Sequence, residues 1–93
     1  TSLQMTILWT PYAIHRLTTR GFAAAKIEEI IRFSSERYFD TFTGRLIVVG
    51  RHDGTLVIIA YERREDSITP VTIHGTTRVK VNARIRAGRF VGE

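Results

Sequence analysis

The sequence contains no cysteine, which excludes a disulfide framework, a thiolate metal site and a cysteine nucleophile. It contains no apolar run near the roughly 18 residues that a membrane-spanning helix needs, and no signal-peptide pattern. A soluble, cytoplasmic chain that does not engage a membrane is therefore expected. Its seven glycines sit singly at turns and ends, so there is no glycine-rich phosphate loop. The carboxylates fall in no metal-ligand spacing, and the three histidines form no zinc pattern. Neither a metal nor a cofactor is expected. Repeats, linkers and low-complexity tracts are also lacking, so residues 1–93 read as one domain. Thr1 to Gln4, ahead of Met5, read as an addition before the natural start.

Hydrophobic residues make up 43% and charged residues 25%, the composition of a folded chain rather than a disordered one. The formal net charge is +5, and of the 14 cations only Lys26 and Lys80 are lysine. The planar guanidinium fork matches phosphate and carboxylate geometry. Arginine usage also follows genome composition, so the bias alone decides nothing. Position is more telling. Up to Asp40 the charges nearly balance, and from Thr41 to Thr77 they cancel. From Arg78 onward Arg78, Lys80, Arg84, Arg86 and Arg89 face only Glu93. Such a block is the footprint of a nucleic-acid surface or of a site for an acidic protein. A solvated tail is the alternative, but it would not need Val79, Val81, Ile85 and Phe90.

The pattern along the chain predicts an α+β fold. Met5 to Trp9 reads as a short strand. Thr10 is a helix N-cap and Pro11 suits the first helical position, with Ala13, Ile14 and Leu17 as a core stripe and Gly21 as terminator. A second helix runs from about Ala23 to Phe33, with Ile27, Ile30 and Ile31 on one face and Glu28 four residues before Arg32 on another. Strands are expected at Tyr38–Phe42, Leu46–Val49, Leu56–Ala60 and Ile68–His74. Thr43-Gly44 and the Asp-Gly of His52-Asp53-Gly54 supply hairpin turns. Pro70 marks an edge or an irregularity in the last of these strands. From Arg78 to Ala87 apolar and polar residues alternate strictly, which is a strand period. Thr76 and Thr77 as caps and Gly88 as terminator argue instead for a helix.

His15, Arg20 and Gly21 are spaced as His, four residues, Arg-Gly, with Phe22 and the Ala/Ile-rich second helix following. Gly44-Arg45-Leu46, the run Leu56 to Tyr61, Val71-Thr72-Ile73, Thr77-Arg78 and Gly88-Arg89-Phe90 follow in order. From about Trp9 to Phe90 this resembles a large family of small bacterial chains related to the BrnT and RelE toxins, in the barnase–EndoU–colicin–RelE ribonuclease fold group. The resemblance implies two helices packed on a four-stranded antiparallel sheet, preceded by the short strand and followed by a basic C-terminal helix. It implies a toxin of a toxin–antitoxin pair, acting as a metal-independent endoribonuclease on RNA, ribosome-bound mRNA included, with a cognate antitoxin covering the basic surface. Two departures stand out. Ala23 replaces a capping Ser or Thr, and these toxins share no single catalytic constellation to carry over.

Metal-independent RNA cleavage needs a base for the 2′-hydroxyl proton, an acid for the leaving 5′-oxygen, and cations for the charge building on phosphate. Histidine suits either proton role. His15 and His74, with Arg20, are the candidate catalytic residues. Arg78, Lys80, Arg84, Arg86, Arg89, Thr72 and Thr77 are the candidate nucleic-acid ligands. His15 and Arg20 have a structural alternative, as a backbone-bonded imidazole and a helix C-cap. His74 shares a strand face with Thr72, opposite Val71 and Ile73, and has a solvated strand end as its alternative. His52 reads as a turn residue and Tyr61 as a half-buried sheet tyrosine. Arg45 and Arg51 share a face with Ile47 and Val49, where they flank a site or blunt an edge. A non-catalytic module of the same fold, binding nucleic acid or a partner, is the competing function.

Overall fold

The computed structural model describes residues 5–92, so Thr1 to Gln4 and Glu93 lie outside the described residues. The elements in order are β1 (Thr6–Ile7), α1 (Pro11–Thr19), α2 (Ala24–Phe33), β2 (Glu36–Asp40), β3 (Arg45–His52), β4 (Thr55–Arg64), β5 (Ser67–Thr76), α3 (Arg78–Arg86) and β6 (Phe90–Gly92). The class is α+β, but the sheet is larger than expected. Six strands run in the order β1-β5-β4-β3-β2-β6, and the sheet is mixed because β1 pairs parallel to β5. The basic helix exists, yet it is not the last element: the chain returns as β6 beside β2.

Local chemistry explains the helices. The Thr10 hydroxyl accepts from the Ala13 N–H at 3.1 Å, Pro11 opens α1, and Gly21 leaves it at φ +75°. Ala13 and Leu17 are buried, whereas Ile14, expected in the core, is exposed. In α2, Ile27, Ile30 and Ile31 are buried as their spacing requires. Glu28 and Arg32 do not pair. Glu28 accepts from the Trp9 indole N–H at 2.8 Å, and Arg32 donates to the Met5 carbonyl at 2.6 Å, so both tie α2 to the preceding chain. The missing cap at Ala23 is compensated from the β3–β4 hairpin. The Ala23 N–H donates to Nε2 of His52 at 2.9 Å, with the Phe22 ring edge-on to the imidazole at 5.1 Å. His52 is thus buried and structural, and more than a turn residue.

The strands differ from expectation at their ends. β2 stops at Asp40 because the Asp40 carboxylate accepts from the Phe42 N–H at 2.9 Å and turns the chain there. Asp53 and Gly54 both have positive φ, the conformation of a tight hairpin turn. In β5 the pairing slips beside Pro70: Tyr61 faces Pro70 and Ala60 faces Thr72, so Val71 bulges out. Residues 78–86 are helical despite their alternation. The Thr77 hydroxyl accepts from the Lys80 N–H, and only Val81 of the helix is buried.

Both faces of the central strands are covered, but unequally. α1 and α2 bury Leu17, Ile27 and Ile31 on Val48, Val57, Ile59 and Ile73. On the other face Ile47, Val49, Leu56, Ile58 and Ala60 meet Val81 of α3 and Phe90 of β6, with Tyr38 of β2 packed beside them. That thin cover leaves part of the sheet open. No described helix is long and apolar enough to cross a membrane. Where α2 crosses β3, a Cβ on Gly50 would stand 2.6 Å from Cγ2 of Ile30 and 3.2 Å from its Cβ. A branched side chain so close to its own backbone cannot swing clear. Gly50→Ala is expected to destabilise the fold by about 1–3 kcal/mol, read as a lower urea midpoint. An unchanged midpoint would mean α2 rides free of β3.

Candidate functional site

The open part of the sheet is a cleft of about 280 Å³. Its floor is Ile47, Ile58, Ala60 and Phe90, and its polar rim is Thr43, Arg45, Thr72, His74, Arg84 and Arg89, with Asp40 beneath. Each rim residue arrives by a local rule. Period two in β3 puts Arg45 on the face of Ile47. The same period in β5 puts Thr72 and His74 opposite Ile73, which packs under the helices. Val71, expected on the helix side, joins the cleft because the bulge turns it over. Arg84 comes from the last turn of α3, and Arg89 from the turn into β6.

The cations differ in how far they are committed. Arg89 donates to both carboxylate oxygens of buried Asp40, at 3.1 and 3.0 Å, and its guanidinium stacks 5.0 Å from the Phe42 ring. Burial raises the Asp40 pKa, but Arg89, the Phe42 N–H and the Thr43 hydroxyl outweigh it and hold the carboxyl below its ordinary range. Arg45 lies 3.7 Å from Glu62, an exposed and weak pair. Arg84 has no carboxylate partner among the described residues and rests over the Phe90 ring at 5.6 Å. That guanidinium keeps its donors for a ligand.

His74 stands beside it, half-buried. Burial lowers its pKa below the ordinary histidine value, and the charges of Arg20, Arg84, Arg16 and Lys80 lower it further. The imidazole is therefore neutral at neutral pH and offers a lone pair inside a cationic cleft. A neutral base beside an unpaired guanidinium is an arrangement that can take a proton from a hydroxyl while holding an adjacent phosphate.

The remaining candidates fall elsewhere. His15 is exposed on the outer face of α1, away from the buried Ala13 and Leu17, and it does not line the cleft. The expected partnership of His15 with His74 is corrected accordingly, since the sheet separates α1 from the cleft. Arg20 donates to the Ile73 carbonyl at 2.7 Å, at the β5 edge behind His74. Arg78 is committed to Glu36 through two bonds of 2.6 and 2.8 Å, which hold the Glu36 carboxyl below its ordinary range against burial. Thr77 is occupied as the α3 cap. Lys80 and Arg86 are exposed on α3, outside the cleft lining. Tyr61 is buried on the helix side, where its hydroxyl accepts from Arg37 at 3.1 Å. Among the described residues no three His, Asp or Glu side chains group as metal ligands would.

Comparison with protein-family models, with curated proteins and with solved structures finds no match to this chain. The functional reading therefore stands on the cleft itself.

Proposed function

We propose that the chain is a metal-independent endoribonuclease of the RelE/BrnT kind, the toxin of a toxin–antitoxin pair acting on RNA in the cytoplasm. The observation that supports this most directly is the convergence of His74 and the unpaired Arg84 over an apolar floor. A base stacks on such a floor beside Phe90, and its phosphate lies against Arg84. His74 takes the proton of the 2′-hydroxyl, and the 2′-oxygen attacks phosphorus. The bond to the 5′-oxygen breaks, leaving a 2′,3′-cyclic phosphate. Solvent reaching the open cleft protonates the departing oxygen. Arg84, with Arg45 at the rim, stabilises the charge that peaks on the phosphate oxygens. His15 has no part in this scheme. The antitoxin of such a pair would present acidic side chains to Arg84, Lys80 and Arg86.

Among the described residues the cleft lining has one imidazole, and its one carboxylate, Asp40, is bound by Arg89, so no second side chain suited to general-acid work stands there. That feature favours a second reading, a non-catalytic module that binds RNA or a partner protein through the same surface. Purified chain with single-stranded RNA separates the two. Cleavage that persists in EDTA, accompanied by growth arrest on expression, is expected, and Arg84→Ala should slow it by about 10²-fold or more. Salt-sensitive binding without cleavage, alone and on ribosomes, would leave only the module.

A further inference from the structure

Two pairs of cations stand around the end of β5. Arg16 on α1 and Arg20, the C-cap of that helix, are four residues apart, and Lys80 and Arg84 are four apart on α3, so each pair lies on one side of its helix. α1 packs against β5 on the helix side. α3 starts just beyond Thr77 and buries Val81 in the opposite face. Arg20 is anchored on the carbonyl of Ile73, the residue before His74, and Arg84 lines the cleft with His74. β1 pairs only with Ser67 and Ile68, so from Thr69 to Thr76 the outer edge of β5 has no strand partner among the described residues.

None of these four cations has a carboxylate within ion-pair distance among the described residues, whereas Lys26, Arg45, Arg78 and Arg89 each do. The Nε of Arg16 is buried and has no hydrogen-bond partner among the described residues. Four like charges around one imidazole disfavour the empty site, and an anion relieves their repulsion. Tyr12, one turn before Arg16, is 58% exposed beneath the Arg16 guanidinium and presents a ring to solvent.

We propose that Arg16, Arg20, Lys80 and Arg84 form a two-row phosphate track across the free end of β5, which carries the backbone of single-stranded RNA out of the cleft toward Tyr12. This rests on the reading of the cleft as an RNA site. The free strand edge lets a backbone pass from one face of the sheet to the other. A single strand fits such a path because successive phosphates meet successive cations while a base stacks on the exposed ring.

The test uses Arg16→Gln/Lys80→Gln, since neither side chain makes a hydrogen bond or ion pair among the described residues and the fold should survive, as a thermal melt verifies. Binding is followed by fluorescence anisotropy across a salt series, with a labelled RNA of about twelve nucleotides and with a dinucleotide confined to the cleft. The double variant should bind the longer RNA about tenfold more weakly, with a salt slope shallower by about 1.4, and bind the dinucleotide as the wild type does. If affinity and slope for the longer RNA stay unchanged while Arg84→Ala weakens both ligands, the track is refuted and the cleft reading stands. Equal loss for both ligands refutes the track as well, because the cations would then act on the cleft itself. If the wild-type chain binds neither RNA, the cleft reading falls first.

Discussion

His74→Ala is expected to slow RNA cleavage by about 10²–10⁴-fold while changing RNA affinity little, because a neutral imidazole contributes proton transfer rather than charge. The pH dependence follows from the direction of the His74 shift. Burial and the cations Arg20, Arg84, Arg16 and Lys80 hold its pKa below 6.5. Protonation removes the base, so the wild-type rate should climb with pH through the acid range, with the midpoint of the rise below 6.5. In the variant this limb should vanish with the rate. Measuring kcat and KM separately from acid to neutral pH checks both parts. A variant with wild-type kcat, or a wild-type limb centred above 6.5, would remove His74 from the chemistry.

The two helices around Gly21 were legible because their signals are local. Thr10, Pro11 and Gly21 each act on the next turn of chain, and the isoleucines of α2 carry the helix period in plain view. β6 was not legible: Phe90–Gly92 is a strand only because Tyr38 to Asp40 lie beside it, after a return across most of the chain. The parallel pairing of β1 with Ser67 and Ile68 is equally non-local. In α3 the alternation of Val79, Val81, Ala83 and Ile85 pointed to a strand, but a nine-residue helix that buries Val81 alone needs no apolar stripe. Its cap at Thr77 carried the better signal.

The site was legible in part, for the same reasons. Strand period put Thr72 and His74 on one face, and the basic terminal block contained Arg84 and Arg89. Helix geometry also spoke against His15. At 3.6 residues per turn it lies about 200° from both Ala13 and Leu17, so a helix packed through those residues turns His15 outward. The His-to-Arg-Gly spacing points the other way, and the structure follows the helix geometry. Asp40 is the cleft residue that the sequence marks most weakly. The available signal was a lone carboxylate two residues after Tyr38, on a strand face otherwise turned inward.

Asp40 carries the largest expected effect on stability. Its side chain is 3% exposed, and it accepts from Arg89, which is 28% exposed, and from the Phe42 N–H. Asp40→Ala leaves the Arg89 guanidinium and that N–H without their partner, and should cost about 3 kcal/mol. For a domain of this size the melting temperature should fall by about 12 °C or more. The sign with pH follows from the lowered carboxyl. The unfolded chain holds this proton more tightly, so the contribution is complete above the ordinary value of 3.8 and is lost as pH falls through the folded pKa. Wild type and Asp40→Ala should therefore converge in acid and diverge toward neutral pH. A constant gap would assign the loss to packing alone. The same pair separates two kinds of cation in one cleft. Arg89 is neutralised by Asp40, so Arg89→Gln should lower stability more than RNA affinity. Arg84 has only the Phe90 ring beneath it, so Arg84→Gln should do the reverse.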